Sequence, residues 1–180
     1  MNRVENFINF LPALTKSVLF LMKHFINGNF STSAGSQRIK LVHFCHGDPG
    51  IVSGLARFYL MFPEEGIKLG IPDVLKKALS HIWDYGVLKK GFGLCHGISG
   101  NAYAFIAPSI QELFIDEKEE LKSKAMLFGL LLEEKDVMKE IRGYNFSDRF
   151  KVGTSDNPYS LMLGTAGDIC FIIDLFKGKG

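Results

Sequence analysis

Two of the three cysteines in this chain stand in the same tripeptide, Cys45-His46-Gly47 and Cys95-His96-Gly97. Thiolate sulfur and imidazole nitrogen are the donors that Zn²⁺ prefers. No Cys-x-x-Cys pair occurs, so the spacing is not that of a zinc finger. A shared site would be long-range, its ligands carried on two separate loops. Cys45, Cys95 and His96 would then supply three donors and leave the fourth tetrahedral position open, which is the arrangement of catalytic rather than structural zinc. The same residues also suit a plainer role, as two buried cysteines packed beside helix starts.

The elements that must position these residues repeat. H-G-D-P-G at 46–50, H-G-I-S-G at 96–100 and L-G-T-A-G at 163–167 each lead into an apolar helix. Each is Gly-x-x-Gly, and each interval has room for a second helix. A period of this length means stacked helix pairs, as a solenoid or a closed α/α barrel. Helical periodicity runs through Val4, Phe7, Ile8, Leu11, Leu14, Val18, Leu21, Met22 and Phe25, with Pro12 a candidate kink. Residues 27–36 carry turn chemistry. Helical spacing returns at Ile51, Leu55, Phe58, Tyr59 and Phe62, where Pro63 and Gly66 close it. Pro72 suits the first turn of a helix running to Tyr85, with Gly86 at its end. Further helices are expected over 102–114, interrupted by Pro108, and over 116–142, followed by loop and an apolar segment at 159–176. No stretch alternates with period two over a useful length, so the fold class is all-α.

At 180 residues, 47% hydrophobic and 22% charged, the chain can bury a sizeable core, and disorder would need the reverse balance. A net charge of +2 gives no general attraction to nucleic acid or acidic lipid. Three cysteines argue against a disulfide-stapled secreted fold. No run reaches the ~20 apolar residues of a membrane span, and the start lacks a signal peptide's pattern. A soluble, cytoplasmic protein with no integral membrane segment is expected.

The segments L-V-H-F-C-H-G-D-P-G, W-D-Y-G-V-L-K-K-G-F-G-L-C-H-G-I-S-G-N-A-Y-A-F and D-N-P-Y-S-L-M-L-G-T-A-G resemble the eukaryotic LanC-like proteins, relatives of the bacterial lanthionine synthetase cyclases. The resemblance implies an α/α toroid, here partial, and a zinc ion held by Cys45, Cys95 and His96. It implies addition of a zinc-activated thiol, glutathione in the eukaryotic proteins, to dehydroalanine or dehydrobutyrine in a peptide or protein. An acid must then protonate the product carbon. His46, beside Cys45, is the first candidate and His43 the second, and either also suits a structural histidine. Lys90 falls where the family holds a glutathione-contacting lysine. Gly153 stands where the family has an arginine. The match covers only the family's C-terminal half, so the half that carries its acid/base histidine has no counterpart, and a non-catalytic zinc-binding or partner-binding fragment is the rival expectation. The implied division of 1–180 is one partial domain with an N-terminal helix and loop (1–38), a zinc-site core (39–110), a divergent helical insert (111–152) and a C-terminal toroid segment (153–180). Cys170 and Trp83 are expected in packing roles and His81 as a partly exposed helix residue, while His24 has no identifiable partner.

Overall fold

The computed structural model describes residues 9–36, 38–39, 41–88, 91–131, 157 and 159–177. Eight helices lie among them: α1 (Leu11–Met22), α2 (Asp48–Met61), α3 (Pro63–Lys68), α4 (Ile71–Tyr85), α5 (Ile98–Ile106), α6 (Pro108–Leu113), α7 (Lys118–Leu130) and α8 (Thr165–Lys177). The all-α expectation holds. The single addition is a hairpin of two-residue strands, β1 (Phe25–Ile26) and β2 (Asn29–Phe30). Asn27 and Gly28 turn it with φ of 51° and 91°, the paired positive values of a type I′ turn.

Pro63 and Pro108 break helices as expected, Pro12 produces no kink within a longer described helix, and all three also begin one. Pro12, Pro63 and Pro108 each stand in the first turn of a helix, α1, α3 and α6. A missing N–H costs nothing there, because the first-turn donors have no intrahelical acceptor. Pro63 therefore begins a short helix as well as ending α2. Pro108 splits the expected 102–114 helix into α5 and α6.

The helices form two rows. α2, α5 and α8 lie side by side in that order, and α4 and α7 pack across α2 and α5. α4 shows why: Ile71, Leu75, Ala78, Leu79 and Ile82 recur at helical spacing and are all buried. α5 is the hub, touching α2, α4, α6, α7 and α8. Ile98, Ala102, Ala104 and Phe105 sit within the core, and the two small residues let neighbouring helices come close. Polar links cross the rows as well. Ser99 Oγ donates to Asp168 Oδ1 over 3.1 Å, and Tyr103 Oη donates to Asp174 Oδ2 over 2.8 Å, tying α5 to α8 twice. Trp83 contributes to the second row through Phe128 of α7, with ring centres 5.8 Å apart. Cys170 is half-buried on α8. Helix pairs stacked with their repeat motifs at one end are an arc of an α/α toroid.

Candidate metal centre

The three Gly-x-x-Gly loops lie in one ladder. Cys45 N–H donates to the carbonyl of Cys95 over 3.1 Å, and Cys95 N–H donates to the carbonyl of Met162 over 2.7 Å. Cys45, Cys95 and Met162 hold the same place in their units, two residues before the first glycine. The closing glycines match too. A Cβ on Gly50, Gly100 or Gly167 would overlap the carbonyl oxygen of Phe44, Leu94 or Leu161, in each case the residue six positions earlier. Only glycine lets the loop press this closely on the first helical turn. The repeat read in the sequence is thus one backbone design used three times, and it puts the two Cys-His-Gly loops edge to edge.

The consequence is a donor cluster. Cys45 Sγ, Cys95 Sγ and a ring nitrogen of His96 lie within 4.8 Å of one another. Thiolates sharing a tetrahedral zinc stand about 3.8 Å apart, as bonds of about 2.3 Å require. Small side-chain rotations therefore suffice for the set to close on one ion. The donor chemistry, two thiols and an imidazole, also fits Zn²⁺. Cys45 is exposed, while Cys95 and His96 are half-buried. A ligand could reach the site from the Cys45 side.

The two histidines of the repeated tripeptide differ in place. His96 joins the cluster, whereas the exposed His46 turns outward and its Nδ1 lies 2.6 Å from the carbonyl oxygen of Thr32. A carbonyl only accepts, so Nδ1 carries the hydrogen and Nε2 is the nitrogen left for proton exchange. His43 is buried, its ring centre 5.8 Å from that of His96 and 6.4 Å from that of His46. Lys90 and Gly153 lie outside the described residues. His24 does have partners: its Nδ1 donates to the Phe20 carbonyl over 2.7 Å and its Nε2 accepts from Gly35 N–H over 3.2 Å.

Sequence reasoning missed the polar frame around the first loop. Asp48, fully buried at the start of α2, accepts from Phe30 N–H at 2.9 Å through Oδ1 and meets His81 Nδ1 at 3.0 Å through Oδ2. Burial pushes the Asp48 carboxyl up to about 7, against the weaker pull of the Phe30 N–H. Burial also moves His81 below its usual range, with the charge of Asp84 opposing. Asn29 is fully buried as well. Its Oδ1 accepts from Asp48 N–H at 3.2 Å, and its Nδ2 donates to the carbonyls of Ile39 and Leu41 at 2.6 and 3.2 Å. Asn101 of α5 donates to the carbonyls of Val42 and Gly86 at 2.7 and 2.8 Å. The one available signal was the contrast between H-G-D-P-G and H-G-I-S-G, a carboxylate against an apolar residue at the same place.

A family model described as "Lanthionine synthetase C-like protein" matches residues 2–180. This chain belongs to the lanthionine synthetase C-like family. A zebrafish (Danio rerio) relative named glutathione S-transferase LANCL1 is 34% identical over 159 residues, covering 85% of this chain and 33% of that protein. LanC-like protein GCL1 of Arabidopsis thaliana is 32% identical over 149 residues, covering 83% of this chain and 31% of its own length. The chain therefore spans about a third of these LanC-like relatives. No helix among the described residues of this LanC-like chain is long and apolar enough to cross a membrane.

Proposed function

We propose that Cys45, Cys95 and His96 hold one Zn²⁺, and that this site serves the addition of a thiol, glutathione, to dehydroalanine or dehydrobutyrine in a peptide or protein. The observation that carries the reading is the convergence of these three donors within 4.8 Å from loops 50 positions apart. When bound, Zn²⁺ would lower the pKa of an incoming thiol and present it as a thiolate. The two cysteine thiolates offset the ion's charge and leave the third thiol nucleophilic. Addition forms a C–S bond at the β-carbon and leaves a carbanion equivalent at the α-carbon, which takes one proton. His46 is the proposed donor, through Nε2, with its ring fixed by the Thr32 carbonyl. Lys90 is the proposed contact for a glutathione carboxylate. The name of the zebrafish relative supports glutathione as the thiol. The proposed compartment is the cytoplasm, where thiols stay reduced.

Metal analysis of the purified protein tests the ion. About one equivalent of zinc is expected, and less than ~0.2 equivalents would exclude the site, because a Cys₂His set binds tightly. A second reading is metal binding without turnover. It is favoured by the span of the chain, about a third of its relatives. Incubating the zinc-loaded chain with glutathione and a dehydroalanine peptide, read by mass, decides between them. An adduct formed faster than without protein, and lost in His46→Ala, supports the enzyme. Adduct at the uncatalysed rate supports the second reading.

A further inference from the structure

The first and second loops open their helices with different residues, Asp48 and Ile98, and the third uses Thr165. A carboxylate is therefore not needed to start such a helix. Burying one is costly unless every lone pair is met. Here the carboxylate oxygens meet Phe30 N–H of β2 and His81 of α4, while the Asn29 side chain accepts from the Asp48 backbone N–H. Asn29 extends the frame to the carbonyls of Ile39 and Leu41, just ahead of Cys45. The whole network surrounds the loop that carries the exposed cysteine of the cluster.

The geometry points to Asp48 and His81 as a positioning pair that holds the Cys45 loop at ligand distance from Cys95 and His96. The inference rests on the reading of Cys45, Cys95 and His96 as one site. It adds residues that act through Cys45 and not on any substrate. Asp48 fixes the base of the loop where the chain enters α2. His81 anchors Asp48 to the second row of helices, so the loop's position is referred to α4 as well as to its own hairpin. A helix start stabilised only by its charge would not need the His81 contact.

The test reads thiol geometry in the reduced, metal-free protein. A trivalent arsenical, phenylarsine oxide, bridges two nearby thiols to one arsenic with release of water, and the adduct is mapped by mass. Wild type bridges Cys45 to Cys95. Asp48→Ala and His81→Leu are expected to slow bridging at least roughly tenfold, since small displacements of reacting groups cost rates of this order. The rate of alkylation at Cys170 stays unchanged. His81→Asn, which restores a donor toward Asp48, is expected to recover most of the rate. Should Asp48→Ala raise Cys170 reactivity through general unfolding, His81→Leu and His81→Asn carry the test. Bridging at the wild-type rate in a folded His81→Leu overturns the positioning role, as does equal slowing in His81→Asn and His81→Leu. A zinc titration of wild type is read separately. A chain that bridges arsenic and fails to bind zinc refutes the metal reading and leaves the positioning pair standing.

Discussion

In the second Cys-His-Gly loop the backbone does the holding. Ile98 N–H donates to the Gly91 carbonyl at 3.1 Å, Ser99 N–H to that of Phe92 at 2.9 Å and Gly97 N–H to that of Gly93 at 2.9 Å. The chain folds over its own helix start, which Gly91 permits with a φ of 89°. The first loop has Leu41, Val42 and His43 where the second has Gly91, Phe92 and Gly93. Its Asp48 N–H instead finds Asn29 Oδ1, a side chain 19 residues away. Side chains from the hairpin, α4 and α5 take over what glycines do in the second loop. The same tripeptide is thus presented by a turn held through backbone bonds in one unit and, beside the His43–His46 backbone bonds, by a buried polar frame in the other. The histidines differ accordingly, with His96 in the cluster and His46 bound to Thr32.

The largest effect should fall where the loops are equal. Cys45→Ala and Cys95→Ala are each expected to reduce zinc affinity by more than ~100-fold, beyond the 10- to 100-fold typical of losing an outer-shell partner. Competition titration against a chromophoric chelator measures it. A clear inequality between the two variants would show that one loop dominates the site.

The closing glycines come next. Gly100→Ala sets a methyl group against the Leu94 carbonyl and Gly50→Ala sets one against that of Phe44. Each should cost about 3 kcal/mol of stability, the upper range for overpacking, because the obstructing atoms are backbone and cannot rotate away. Thermal unfolding checks this, and a variant that melts with wild type would break the equivalence of the units.

The third prediction separates the loops by pH. The Asp48 carboxyl sits at about 7 in the folded chain against an ordinary 3.8. Its contribution to stability is fully present below the ordinary value and is lost as pH rises through about 7. Asp48→Asn has no proton to lose, so the melting temperature of wild type relative to this variant should fall between pH 4 and 7. A matched Ile98→Val pair in the second loop should show no such trend. The smallest effect belongs to His46→Ala, which should leave zinc affinity within about twofold of wild type, as its ring is engaged by a carbonyl outside the donor set.

How much was legible in the sequence depended on the range of the interactions. Periodicity marked α4 from Ile71 to Tyr85 with its buried face, because helical burial repeats every three to four residues regardless of the partner. The hairpin escaped because two-residue strands are too short to alternate, and only the Asn27-Gly28 turn announced it. Pro12, Pro63 and Pro108 were read as breaks because composition shows where a helix is interrupted but not which side continues. Cys45, Cys95 and His96 were legible as a donor set because a tripeptide repeated at 50 residues is visible in one dimension.

The sequence by itself determined the helical class, the three repeated helix starts and the residue types able to bind a soft divalent ion. Their causes are local: side-chain period, glycine at close backbone approaches and the chemistry of thiol and imidazole. Only the tertiary structure decided that Cys45 N–H pairs with the Cys95 carbonyl, that His46 turns to the Thr32 carbonyl, and that His81, expected as a partly exposed helix residue, reaches buried Asp48. Those outcomes depend on which groups packing brings together across as many as 50 positions. The free energy of such a contact is set by burial and by the partners already in place, and neither is written in the spacing of residues along one chain.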